Sequence, residues 1–359
     1  MGSDIPPQPE ALDLAARFPH LTAICRELAE GAVFATRLDV ATIADGRLYW
    51  GTFGKHAARA TSNDLFELHC LTKPIVAWTL LEVANRHGVD PLEPIGTILG
   101  PSRFDDAVTI AGICNHTSRL ALPSGLDWIA TDPSRRPALA DLRQEEGGSW
   151  YSEVGAWVAA DATISTLERR PAAEVVAEVI GRCDADAMIG TPVPDDRNVV
   201  VPVAGLPDAA VPMLHVEHPT FQARLGVPFG GFGSVVGYVR FLRQIARAIR
   251  DESTALEVGR TLIESIAKPR AVSHDDTWRR PAGFRYGMVD GTTPGEAGDG
   301  TCLTMFAGIA SGAGLVDLHR DRQVAFASNG ASFDADDHRF VRRSVLGAFL
   351  RDTDVAATT

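Results

Sequence analysis

The sequence predicts an α/β (α+β) fold: an antiparallel sheet flanked by N- and C-terminal helices, with a mostly helical domain inserted. Three observations carry this. Strand-like segments lie near both ends of the chain and helical ones between them, so one sheet has to be assembled from both ends. An Asp45-Gly46 pair separates two strand-like runs near the start, a hairpin signal. The last strand-like runs lead into an amphipathic C-terminal segment.

In chain order, residues 1–9 read as a disordered leader, and residues 10–30 have helical periodicity that ends at Gly31. The hairpin follows, then a helix from about Cys70 to Arg86 closed by His87-Gly88, then a proline-punctuated loop over 89–100. Helical stretches are expected at 154–168, 171–182, 234–250 and 253–267, with little periodicity over 191–229. The segments MFAGIASGAGLVDL and QVAFASNGAS read as paired strands, and residues 337–351 as the closing helix. The expected sheet domain therefore takes 10–104 and 226–359, and the helical insertion takes 105–225.

The chain has 359 residues, 45% hydrophobic and 22% charged, enough for a sizeable core. Its formal net charge of −12 and the lack of any Lys/Arg-rich run argue against nucleic-acid binding. No run of 18 apolar residues is present, so no membrane-spanning helix is expected. The start of the chain lacks the basic and apolar regions of a signal peptide. Five cysteines, odd in number and without a C-x-x-C pair, suit reduced thiols, so a cytoplasmic location is expected.

The stretch Phe66-Glu-Leu-His-Cys70-Leu-Thr-Lys73-Pro74 carries the chemistry. Residues i and i+3 share a helix face, so Cys70 and Lys73 point the same way. Pro74 fits the first turn, where a missing N–H costs least. A thiol there meets the positive end of the helix dipole and an ammonium, both of which favour the thiolate. On spacing alone, Cys70 reads equally well as a small buried hydrophobe.

This stretch resembles the S-x-x-K segment of the serine β-lactamase-like superfamily (class C β-lactamases, penicillin-binding proteins and their esterase relatives), with cysteine in place of serine. Four more segments match in order: Asn115-His116-Thr117-Ser118-Arg119-Leu120, Tyr151-Ser152-Glu153, Gly230-Gly231-Phe232-Gly233-Ser234, and Phe306-Ala307-Gly308 with its strand pair. The resemblance implies Cys70 as nucleophile, Lys73 as the group that takes its proton or holds the thiolate, and Tyr151 as partner acid/base. It implies an oxyanion hole from the backbone N–H groups of Cys70 and Ile309, the residue after Gly308. Two positions depart from the pattern. Glu153 replaces an asparagine, and Phe306 replaces the cation or histidine that meets a carboxylate, so β-lactamase activity itself is not expected.

Other signals carry less. Gly231 to Gly237 has the wrong spacing for a dinucleotide loop. His215 and His218 lack a third ligand, and no metal or cofactor is expected. His274-Asp275-Asp276 and Asp195-Asp196 read as solvated turns, and His69 as a mere neighbour of Cys70. Cys25, Cys114, Cys183 and Cys302 read as buried or idle thiols.

Three functions remain open: a cysteine acyltransferase forming an amide or ester without ATP, with natural-product or antibiotic biosynthesis as its expected setting; an esterase or amidase of the same fold; and a silent binding protein. The expected partners are a small-molecule acyl donor and an amine or alcohol acceptor. Retention of Lys73 and Tyr151 speaks against the silent protein. The sequence gives no oligomeric state.

Overall fold

The computed structural model describes residues 11–31, 37–55, 57–100, 108–122, 137–146, 151–200, 203–204, 230–268, 270–275, 280–291, 301–307, 310–331 and 335–355. The hairpin forms as the sequence predicts. Strands β2 (Arg37–Ala44) and β3 (Arg47–Gly54) pair antiparallel, Ala44 opposite Arg47. The turn between them places Asp45 at φ 51° and Gly46 at φ 73°, the left-handed pair that a two-residue hairpin loop demands.

Strands β10 (Arg270–Asp275), β11 (Arg280–Arg285), β12 (Met288–Asp290), β13 (Cys302–Ala307), β14 (Ala310–Asp317) and β15 (Arg322–Ala331) continue the sheet. With β1 (Leu12–Asp13), the order is β1-β3-β2-β15-β14-β13-β12-β11-β10, and β8 (Val203–Ala204) lies beside β15. The two ends of the chain meet at β2 and β15, where Val40 faces Phe326 and Ala41 faces Ala325. Among the described strands of this sheet, only the short β1 on β3 and β8 on β15 run parallel.

All eight residues of β2 are buried, because both faces of the sheet are covered. On one face Leu38, Val40, Leu315, Val324 and Phe326 pack with helices α1 (Leu14–Arg17), α2 (Pro19–Gly31) and α10 (Ala335–Val355). Phe18 stacks on Phe349 there, 5.9 Å between ring centres. The alternate residues Ala41, Ile43, Ala325 and Ala327 face α8 (Val235–Ile249), in a core cluster that also takes in α3 (Thr72–His87). Each fully buried Leu or Phe on either face contributes about 1.5–3 kcal/mol.

Between the chain ends lie α4 (Gly96–Leu99), α5 (Ile110–Cys114), α6 (Gly155–Glu168) and α7 (Ala172–Arg182); α6 and α7 pack on α3 around the buried Trp78 and Trp157. A small sheet, β4 (Phe66–Glu67) against β9 (Gly231–Gly233) against β7 (Ala187–Ile189), holds the chain just before Cys70. The Leu68 N–H donates to the Gly231 carbonyl at 2.8 Å, which fixes the entry into α3.

Four expectations change. The helix expected over 10–30 is broken: Asp13 caps α1 by accepting from the Ala15 N–H, and Pro19, which cannot continue a helix, starts α2 instead. The helix expected over 253–267 shrinks to α9 (Arg260–Ser265). Its would-be first turns are bound elsewhere, since the Ala255 N–H donates to Gln244, the Glu257 N–H to Glu82 and the Gly259 N–H to Asn85. The loop over 89–100 contains α4. His274 and Asp275 lie in β10, not in a turn, whereas Asp195 and Asp196 do form an exposed turn. His215 and His218 lie outside the described residues. None of the described helices is long and apolar enough to cross a membrane.

Candidate active site

The site is built where α3 begins. A 3-10 turn, His69–Leu71, leads into the helix, and the Thr72 hydroxyl closes it by donating to the His69 carbonyl at 2.8 Å. Pro74 sits in the first turn, as its spacing predicts. His69 is held at φ 44°, a conformation uncommon for a residue with a side chain, and its Nε2 lies 3.2 Å from Glu67 Oε2. It is therefore anchored to a carboxylate, which adjacency in sequence does not reveal.

One helical turn brings Cys70 and Lys73 together. The Lys73 ammonium donates to Cys70 Sγ at 2.9 Å. Lys73 is 2% exposed, while Cys70 keeps partial access to solvent. Lys73 Nζ also lies over the Tyr151 ring, 5.0 Å from its centre, a cation–π contact in a desolvated place. Tyr151 is buried immediately before α6 and packs in the same apolar cluster as Cys70. The structure thus brings together the three residues singled out as catalytic, with the tyrosine ring facing the lysine.

The chain around Tyr151 is pinned by Ser152. Its hydroxyl donates to the Leu120 carbonyl at 3.0 Å and accepts from the Ala156 N–H, while its carbonyl accepts from Trp157 Nε1. Its own N–H donates to His116 Nδ1 at 3.2 Å. His116 had no assigned role, but it is fully buried and stacks on Tyr151, 4.5 Å between ring centres. Burial, reinforced by the Lys73 charge, pushes its pKa well below the usual 6.5. The signal that could have found it is its place in the Asn115–Ser118 turn, already matched as a motif.

Phe306 is buried at the end of β13, and the Arg342 guanidinium from α10 lies 3.9 Å from its ring centre. A cation therefore stands at Phe306 after all, supplied by the C-terminal helix. Ala307 pairs with Gly312 across β13 and β14. Gly308 and Ile309 lie outside the described residues, and with them the second expected oxyanion donor. Glu153 is half-buried; among the described residues it makes no ion pair or hydrogen bond, so the pairing with Lys73 considered for it does not form.

Tyr238, on α8, is a further buried group near the site. Its hydroxyl has no partner among the described residues, and burial, followed by the charge of Cys70, pushes its pKa up. It lies so close to β14 that a methyl group on Gly314 would come within 2.5 Å of its ring. Cys25, Cys114 and Cys183 are buried, whereas Cys70 keeps partial access to solvent. Burial pushes Cys114 and Cys183 to about 12 and raises Cys25 further, so these thiols keep their protons. No group of three or more metal-ligating side chains occurs among the described residues.

Comparison with known proteins bears on the family and the fold. The beta-lactamase family model matches residues 27–346. Among solved structures, EstCE1, described as a hydrolase with promiscuous acyltransferase activity, is 14% identical with a TM-score of 0.67, covering 91% of this chain and 97% of that one. A penicillin-binding protein homolog from Caulobacter crescentus is 14% identical with a TM-score of 0.66, covering 95% and 99%. The D-amino acid amidase from Ochrobactrum anthropi SV3, in complex with L-phenylalanine amide, is 15% identical with a TM-score of 0.64, covering 93% and 99%. At such identities the likeness is one of fold. No curated protein sequence matches. The fold, the ordered motifs and the match over residues 27–346 together place the chain in the beta-lactamase family.

Proposed function

We propose that the protein is a cysteine-dependent acyltransferase that joins an acyl group from a preactivated ester or thioester to an amine or alcohol, through an acyl-enzyme on Cys70. The observation that carries this reading is the 2.9 Å contact from the Lys73 ammonium to Cys70 Sγ. Lys73 takes the thiol proton or holds the thiolate, so that the sulfur reacts as the anion. The thiolate attacks the donor carbonyl, the bond to the leaving group breaks, and the leaving group takes the proton from Lys73. The acceptor then attacks the thioester, the C–S bond breaks, and the acceptor's proton returns to Lys73 as the thiolate is restored. Tyr151, beside Lys73, is the partner for these proton movements, and Glu153, half-buried without a cation, suits the attraction of an acceptor amine.

Transfer is favoured over hydrolysis by the chemistry of sulfur, because thioesters are attacked by amines far more readily than by water. A free-thiol nucleophile also suits a reducing compartment such as the cytoplasm, and all five cysteines are free. Small-molecule biosynthesis is the setting that these features fit. The neighbouring amidase and esterase folds make hydrolysis the competing reading. Incubating the protein with an activated ester, with and without an amine at millimolar concentration, separates the two. Amide product with a mass adduct on Cys70 supports transfer, and free acid alone means a hydrolase. Glu153→Gln should weaken the dependence on amine concentration and leave acylation of Cys70 unchanged.

A further inference from the structure

His116 touches neither Cys70 nor Lys73, yet the architecture around it is specific. It is fully buried in the Asn115–Ser118 turn, with its backbone in the left-handed region at φ 54°. Its Nδ1 accepts from the Ser152 N–H, so the ring proton sits on Nε2, a buried donor without a partner among the described residues. Three aromatic rings surround it: Tyr151 stacked at 4.5 Å and 20°, Phe284 of β11 at 4.7 Å, and Trp157 of α6 edge-on at 5.4 Å. A backbone held in an uncommon conformation and a buried donor left unmatched are both unfavourable, and such features persist where the surroundings impose them.

We infer that His116 is a positioning residue for the reaction at Cys70: it holds the Tyr151 ring where that ring receives the Lys73 ammonium, and so keeps Lys73 on the sulfur. The chain of contacts is continuous. The Ser152 hydrogen bond ties the residue after Tyr151 to His116. The stacked imidazole fixes the plane of the phenol ring. Lys73, almost without access to water, has two partners among the described residues, that ring and Cys70 Sγ. If the ring turns away, the ammonium loses one of the two and its hydrogen bond to sulfur is no longer directed. A neutral imidazole is required, since a second cation would repel Lys73, and burial supplies it.

The inference rests on the reading of Cys70 as nucleophile, and its test is read at the thiol itself as well as in turnover. His116→Asn tolerates a left-handed backbone and offers Oδ1 to the Ser152 N–H, but removes the ring. The rate of Cys70 carboxamidomethylation by iodoacetamide, followed by peptide mass spectrometry near pH 7, should fall about tenfold, and kcat with an activated ester should fall similarly while KM for the ester stays within about twofold. Phe284→Leu removes a ring that packs on both His116 and Tyr151, 4.7 and 6.1 Å between ring centres, without altering the turn; it should shift both readouts the same way by a smaller factor, and serves as the test if His116→Asn does not fold. Unchanged alkylation and kcat in a folded His116→Asn, or in Phe284→Leu when His116→Asn does not fold, would overturn the inference. Turnover that survives Cys70→Ala would instead overturn the nucleophile reading and leave the alkylation result to be judged on its own.

Discussion

Helix α3 carries a buried charge near each end, and the two are treated differently. Near the C-terminal end, Glu82 is fully buried and saturated with partners: Arg182, Arg86 at 3.1 Å, and the Glu257 N–H at 3.1 Å. Its two arginines come from α7 and from the next turn of α3, so the carboxylate staples three segments together. At the N-terminal end, Lys73 is equally buried but has a thiol and an aromatic face in place of a carboxylate. A structural charge is neutralised until nothing is left to react. On the function proposed above, Lys73 is a working charge, left with a weak partner so that a proton can move. The difference teaches which of two buried ions on one helix to read as scaffold and which as chemistry.

That contrast can be broken at four points. Cys70→Ala should abolish the acyl adduct and lower turnover by about 10⁴-fold or more, without loss of fold, as measured by intact mass and by product formation. Cys70→Ser should retain a fraction of the activity, since a hydroxyl can occupy the same position. Lys73→Met should lower kcat by about 10²–10⁴-fold while stability holds or rises, because an incompletely paired buried charge is replaced by an apolar chain of similar length. A large loss of stability in urea unfolding would mean that Lys73 is structural.

Glu82→Gln should do the reverse: destabilise by about 2–3 kcal/mol, less than is usual for a broken buried pair because both arginines are about one-third exposed, and leave kcat of the folded protein unchanged. A kcat effect there would erase the distinction drawn along α3. The smallest effect concerns pH. The lowered pKa of His116 means that the unfolded chain takes up a proton there before the folded protein does. Stability should therefore fall as pH drops below about 6.5, down to the lowered folded value. His116→Asn should flatten that part of the stability–pH curve, and an unchanged curve would show that His116 is neutral for another reason.

Much of this was legible because local rules govern it. Asp45-Gly46 demands its turn wherever it occurs, and a Cys-x-x-Lys pair at a helix start is brought to one face by the helix period alone. The ordered motifs from Cys70 to Phe306 marked the candidate residues, Tyr151 included, across more than 200 positions of chain. Where local signals competed with tertiary bonds, the sequence misled. Residues 253–259 have helical composition, but their N–H groups are taken by Gln244, Glu82 and Asn85, so the helix starts only at Arg260.

By itself, then, the sequence determined the fold class, the hairpin, the pairing of Cys70 with Lys73 and the family, since each rests on backbone geometry and on spacings within short segments. Only the tertiary structure decided which side chains from distant segments meet. Arg342 reaches Phe306 because the C-terminal helix packs on the sheet. His116 stacks on Tyr151 because Ser152 binds it, and Lys73 is turned to sulfur, with no ion pair to Glu153 among the described residues. These contacts depend on how helices and sheet pack in three dimensions, and no period in a chain encodes a distance between segments that touch only after folding.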